Sequence, residues 1–353
     1  MKLLRLLLFP FSVLYAIGVI LRNLAYDMGI FKSRKFDLPV ISIGNLSVGG
    51  SGKSPMAEYL IRLLKNEYKI ATLSRGYGRQ TSGFLYVNTD SVSSESGDEP
   101  LQFKRKFNDI TVAVCEDRVA GIRKLEKDHE LIILDDAFQH RAVKPGFSIL
   151  LFEYSTFSTP QLLLPAGNLR EPLWESARAD LIIVSKCPVY PDLHEQERIK
   201  KKLNPGKSQK VFFSYLKYAD LKSFNHQEKR KLNTINSKTG IILLTGIANP
   251  DPISGELNQY KPCLIHHRYP DHHPFTEKNI IKLVQSFHNM PEKDKLIITT
   301  EKDAQRLNIS GLKEQLLGLP LYILPVETEF NEPEKTIFNQ IIKAYASESA
   351  GNN

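Results

Sequence analysis

The sequence predicts an α/β protein: a parallel sheet sandwiched by helices, with a second, smaller α/β unit after it and a membrane-associated helix in front. Three observations carry that expectation. From residue 37 onward, short apolar runs alternate with stretches of helical periodicity, the pattern of parallel strands joined by crossover helices. A glycine-rich loop, "VGGSGKS" (48–54), lies directly between one such run and one such helix. The first 30 residues differ in character from everything after them.

The chain opens with "MKLLRLLLFPFSVLYAIGVILRN" (1–23). Leu6 to Leu21 is an uncharged stretch of 16 residues, preceded by Lys2 and Arg5 and followed by Arg22. It is short of the ~20 apolar residues that a spanning helix uses, and Pro10 weakens its first turns. No convincing small-residue cleavage site marks a signal peptide. Residues 1–30 therefore read as an interfacial helix with Lys2, Arg5 and Arg22 among lipid headgroups. A helix docked on the protein's own core and a true span are the alternatives.

Residues 31–215 read as the first α/β unit. "LPVISIGN" (38–45) is a buried strand, and in "SPMAEYLIRLLKNE" (54–67) Met56, Tyr59, Leu60, Leu63 and Leu64 share a helical face. "YKIATLSRGYGR" (68–79), "DITVAVCEDR" (109–118), "ELIILDDAFQHR" (130–141), "FSILLFE" (147–153), "ADLIIVSKCP" (179–188) and "KVFFSYL" (210–216) are further strands, with a helix in "VAGIRKLEKD" (119–128). "GFLYVNTDSVSSESGDEP" (83–100) reads as a polar loop. After a polar, weakly periodic break at 216–238, residues 216–353 read as a second α/β unit closing over the active site, with "AYASESAGNN" (344–353) as a frayed end.

Charge and cysteine usage narrow the function. The net charge of +8 suits an anionic membrane or a phosphorylated substrate, whereas the lack of a basic arm or a run of like charges argues against nucleic acid. Three scattered cysteines, Cys115, Cys187 and Cys263, form no disulfide framework.

The glycine-rich loop is a phosphate-binding loop with Ser47 where the usual pattern opens on glycine. In a strand–loop–helix setting, the backbone of Ser47, Val48, Gly49, Gly50, Ser51 and Gly52 and the helix N-terminus converge on a polyphosphate. Lys53 supplies charge to the β- and γ-phosphates and Ser54 a hydroxyl for Mg²⁺. "LIILDD" ends a hydrophobic strand in Asp135 and Asp136, which suits the same ion. The fold class is thus of P-loop NTPase type, with ATP and Mg²⁺ as cofactors. Guanine-specific relatives read their base with Asn/Thr-Lys-x-Asp. Here Ser185-Lys186 is followed by Cys187-Pro188, so ATP is favoured over GTP. His266, His267, His272 and His273 near Cys263 raise a zinc site as a rival, but ligand spacing such as CxxC is missing.

The segments "GNLSVGGSGKSP" (44–55), "LSRGYGR" (73–79), "GDEP" (97–100), "EDR" (116–118), "LDDAFQHR" (134–141), "LLPAGNLREP" (163–172), "DHHPF" (271–275) and "TEKDAQRL" (300–307) together resemble the tetraacyldisaccharide 4′-kinase family. They run over most of the chain, more sparsely after residue 216. Ser54 stands where threonine is common, and Ala137-Phe138 where Gly-Leu is common. The resemblance implies transfer of the ATP γ-phosphoryl group to the 4′-hydroxyl of tetraacyldisaccharide 1-phosphate in lipid A biosynthesis, giving lipid IV-A. It implies a peripheral enzyme on the cytoplasmic face of the bacterial inner membrane, read here as a monomer. It also implies an aspartate, Asp98, that accepts the hydroxyl proton, paired with His272. Glu99 is a candidate ion ligand through water. Arg75, Arg79, Arg118 and Arg170 suit phosphate recognition, Gln139 and His140 follow the paired aspartates, and Asn168 and Glu171 share the LREP segment. A membrane-linked P-loop switch or metallochaperone is the rival function, and would want a dedicated cysteine pair.

Overall fold

The computed structural model describes residues 5–225, 228–309 and 311–350, so Lys2 and residues 351–353 lie outside the described residues. Along the chain the strands are β1 (Val40–Asn45), β2 (Ile70–Ser74), β3 (Leu85–Tyr86), β4 (Thr111–Val114), β5 (Leu131–Leu134), β6 (Phe147–Glu153), β7 (Leu181–Ser185), β8 (Lys210–Tyr218), β9 (Leu221–Ser223), β10 (Lys229–Arg230), β11 (Thr239–Thr245), β12 (Cys263–Arg268), β13 (Asp294–Thr300), β14 (Leu321–Leu324) and β15 (Val326–Phe330). They form a nine-stranded sheet, β15-β8-β7-β6-β1-β5-β2-β4-β3, and a six-stranded sheet, β10-β9-β14-β13-β11-β12.

The first sheet is parallel except at its edges, where β3 and β15 run antiparallel to their neighbours. Strand β1 is central, parallel to β5 on one side and β6 on the other, and all six of its residues are buried. That explains its largely apolar sequence, interrupted by the buried Ser42 and Asn45, since a strand covered on both faces has no polar side to show. Helix Lys53–Leu64 covers one face, with Met56, Leu60, Ile61 and Leu64 packed against Ile41 and Ile43. The second sheet is parallel from β12 through β11 and β13 to β14. Helix Glu277–Asn289 seals one face of it with Ile280, Leu283 and Phe287.

Four features depart from the sequence reading. The polar stretch 83–100 is not one loop: it holds β3 and a turn of helix at Ser93–Ser96, and Asp98 opens helix Asp98–Lys106. The helix begins after Gly97, whose φ of 88° suits glycine, and Asp98 and Glu99 lie in its first turn, where carboxylates favour the helix dipole. The break at 216–238 contains β9 and β10. Residues 326–350 do not stay with the second unit, because β15 pairs with β8 and helix Glu334–Ala350 packs on the first sheet. The end is therefore helical to Ala350 rather than frayed from 344: Phe338, Ile342 and Ala346 enter the core beneath helix Lys53–Leu64.

Helix Phe9–Asp27 lies at the surface with its chemistry inverted. Its buried residues are Ser12 and Asn23, while Phe11, Leu14, Ile17 and Leu21 face outward. By length and composition it is apolar enough to cross a membrane. Its polar side docks on residues 163–171. Ser12 Oγ donates to the Leu163 carbonyl (3.1 Å) and accepts from the Ala166 amide (2.9 Å), and Tyr15 donates to the Arg170 carbonyl (3.0 Å). Arg5 donates to the Pro165 carbonyl (3.0 Å) and to Asn168 Oδ1 (3.0 Å), so it is committed to protein rather than to headgroups.

Candidate active site

The phosphate loop follows β1 and ends in helix Lys53–Leu64, capped by Gly52 at φ 84°. Ser47 forms a bridge with Leu169, and the Val48 amide donates to the Asn168 carbonyl (2.8 Å), so the LREP segment buttresses the start of the loop. Gly49 has φ 109°, which accounts for glycine there. Behind the loop, Ser185 Oγ donates to the Ser51 carbonyl (2.7 Å).

Lys53 Nζ donates to Asn45 Oδ1 (3.3 Å) and lies 3.6 Å from Asp136. Asp136 itself stands at φ 48° after β5 and pairs with Arg170 (3.0 Å). Burial would raise its carboxyl, but Lys53 and Arg170 outweigh that and hold it below its ordinary value. Its neighbour Asp135 is buried and has no such partner in contact. Burial first, then the charges of Glu99 and Asp136, push it up to about 7. Asp135 Oδ1 is buried without a hydrogen bond. An orphaned carboxylate oxygen at the end of β5, the strand paired with the one that leads into the P-loop, fits a Mg²⁺ ion or its bound water. Among the described residues no three His, Cys, Asp or Glu side chains form a ready-made metal cage. That suits Mg²⁺, which takes one or two protein oxygens and completes its shell with phosphate and water.

Glu99, on helix Asp98–Lys106, accepts from Ser54 Oγ (2.9 Å) and pairs with Lys302 of the second unit. Burial acts to raise its carboxyl, yet Lys302 and Lys53 hold it at about 2. One residue earlier, Asp98 is buried with His272 Nδ1 at 3.0 Å and Arg306 Nε at 3.2 Å, both on the same carboxylate oxygen. His272 occupies the left-handed region at φ 56° and its ring lies 5.1 Å from that of Tyr77. Arg306 also donates to the carbonyls of Gly246 and His273 (both 3.0 Å), which fixes the loop that carries His272.

Two cavities meet at this point. One, of about 450 Å³, is lined by residues 47–55 with Lys186 and Lys302. The other, of about 460 Å³, is lined by Arg75, Arg118, His140, Asp98 and Asp135. Tyr77, Glu99, Asp136, Arg170 and His272 line both. Asp98 thus stands on the wall of the second cavity, at its border with the phosphate loop.

The expected arginines separate. Arg75, Arg118 and Arg170 line the second cavity, whereas Arg79 does not. Its guanidinium is spent on Glu116 and the Gly83 carbonyl, which close the loop 76–83. Arg118 is buried and donates to the carbonyls of Cys115 (3.2 Å) and Glu116 (3.1 Å). His140 also lines the cavity, and burial followed by the Arg118 charge lowers its pKa. Gln139 donates to the Asn45 carbonyl (2.9 Å) and to Glu171 (3.3 Å). Asn168 and Glu171 lie outside both cavities, as supports. Buried Glu171 collects Asn23 (3.3 Å), Gln139 and Arg178, tying helix Phe9–Asp27 to the segment after β5. The sequence reading passed over Asn45, Tyr77, Lys302 and Arg306. Lys302 and Arg306 sit in "TEKDAQRL", whose polar density after a buried strand was the available signal.

Known proteins resemble this chain over nearly its whole length. The sequence model for tetraacyldisaccharide-1-P 4′-kinase matches residues 4–346. A tetraacyldisaccharide 4′-kinase of Flavobacterium psychrophilum is 44% identical over 358 residues, covering all of both chains. One from Phocaeicola vulgatus is 42% identical over 351 residues, covering 98% of this chain and 96% of the relative. A crystal structure of LpxK from Aquifex aeolicus in complex with ATP superposes with a TM-score of 0.74 at 30% identity, covering 97% of this chain and 99% of that one. The chain belongs to the tetraacyldisaccharide-1-phosphate 4′-kinase family.

Proposed function

We propose that the protein transfers the γ-phosphoryl group of ATP to the 4′-hydroxyl of tetraacyldisaccharide 1-phosphate, the lipid A precursor. The observation that carries this reading is the junction of the two cavities, with Asp98 and His272 beside it and the phosphate loop on its other side. Lys53 and the loop amides bind the phosphate chain. Asp98 accepts the proton of the attacking hydroxyl, and His272 orients Asp98 through Nδ1. Arg75, Arg118 and Arg170 line the acceptor cavity and suit an anionic sugar phosphate. Ser54 and Asp135 would hold Mg²⁺, directly or through water, and the ion neutralises charge that develops on the transferring group.

Helix Phe9–Asp27 would lie at the cytoplasmic face of the membrane, where its outward apolar side chains meet acyl chains. Its Arg22 donates to the carbonyl of Gln139, a residue that lines the second cavity. A lipid acceptor arriving at the membrane surface thus meets the arginine-lined cavity. A monomer suffices for this arrangement, since one chain supplies every residue named. The deciding assay follows γ-labelled ATP with the disaccharide 1-phosphate and with lipid withheld. Label must appear in the lipid and phosphate release without lipid must stay near background. Lipid-independent hydrolysis as fast as transfer would point to a switch ATPase instead.

A further inference from the structure

The Glu99 carboxylate serves two claimants. Its Oε1 accepts from Ser54 Oγ at 2.9 Å, and the same oxygen pairs with the Lys302 ammonium. Ser54 is the P-loop hydroxyl that a divalent ion would bind, so an ion there would sit within a few ångströms of Lys302. Two cations that share one carboxylate oxygen in a partly buried cleft repel each other. The backbone beneath Lys302 is pinned: its neighbour Glu301 is gripped by Lys106 (2.6 Å) and accepts from the Val326 amide (3.3 Å). The long side chain, not the helix, is therefore the part free to move. Lys302 lines the same cavity as Lys53, on the wall supplied by the second unit.

We propose that Lys302 competes with the divalent ion for Glu99 and, when ion and nucleotide enter together, passes to the phosphate chain as a second cation opposite Lys53. This rests on the Mg·ATP reading given above. It makes the second unit a contributor to phosphoryl transfer: a phosphate-binding lysine that answers to the metal. No bond forms or breaks at Lys302. Its role is to leave one anion for another, as the charge on the transferring group grows.

The test uses the full-length protein with Mn²⁺ as the spectroscopic probe and no nucleotide added. Lys302→Met should bind Mn²⁺ about tenfold more tightly than the parent, because the competing ammonium is gone. Lys302→Arg should keep the parent's weak affinity. With saturating ATP and lipid, Lys302→Met should lose roughly a hundredfold in kcat. Tighter metal binding is a gain that misfolding does not produce. Unchanged Mn²⁺ affinity in Lys302→Met, or a kcat within twofold of the parent, overturns the proposal. Ser54→Ala separates the two levels: it should abolish Mn²⁺ binding in either background. Binding that survives Ser54→Ala overturns the ion-site reading itself, and the proposal with it.

Discussion

Helix Phe9–Asp27 and helix Lys53–Leu64 each lie against the first unit, and they bury opposite chemistries. The second buries Met56, Leu60, Ile61 and Leu64 under the sheet and leaves Arg62 partly exposed. The first buries Ser12 and Asn23 and leaves Phe11, Leu14 and Leu21 outward. A helix held by water's rejection of its apolar side behaves like the second. One held by hydrogen bonds, with its apolar side left over, belongs where something other than water covers that side. Composition alone makes the two look alike. What separates them is where their polar atoms find partners.

Breaking the comparison at its functional end gives the largest effect. Lys53→Ala, at the start of the P-loop helix, should lower phosphoryl transfer by about 10³-fold or more at saturating ATP, since β/γ charge goes uncompensated. Label transfer to lipid measures it. Next come Asp98→Asn and His272→Ala, each expected to cost roughly a hundredfold in kcat, with the double variant scarcely worse than the poorer single one. Losses that multiply cleanly would show that the residues act independently.

Stability variants then sharpen the contrast. Leu60→Ala should destabilise the fold by about 2–5 kcal/mol, because its site is closed on every side. Leu14→Ala, 67% exposed, should change stability by less than ~0.5 kcal/mol while weakening binding to anionic vesicles. Chemical denaturation and vesicle sedimentation read the two quantities separately. If Leu14→Ala unfolds the protein as Leu60→Ala does, the helix is core after all. The smallest effect is Ser12→Ala. It strands the Ala166 amide, while the Leu163 carbonyl keeps the Gly167 amide, and should cost about 1 kcal/mol, seen as faster amide exchange in residues 163–169.

Much of this was legible in the sequence, for identifiable reasons. Strands β1, β5 and β7 are buried on both faces, so each reads as a mostly apolar run with no alternating polar side. The phosphate loop is legible because backbone chemistry there demands glycine at fixed positions. Helix Asp98–Lys106 was not, because it opens on "DEP" and carries a basic last turn, so its signal is capping charge rather than periodicity. Arg79 looked like its neighbours because a guanidinium's partner lies elsewhere in the chain: Glu116 claims it 37 residues on. The Asp98–His272 contact joins residues 174 apart, and no local pattern encodes it. Resemblance to a family suggested the pair, and folding brings it together.

The return of residues 326–350 to the first sheet governs how the chain can be made. The core under helix Lys53–Leu64 stays open until Phe338, Ile342 and Ala346 arrive. Between β8, which ends at Tyr218, and β15, which starts at Val326, the whole second sheet must be synthesised. At roughly 5–20 residues per second, that is a delay on the order of ten seconds with an unfinished hydrophobic face. The nascent chain is thus half-sealed until the end of its synthesis, and its final helix acts as the closing clasp.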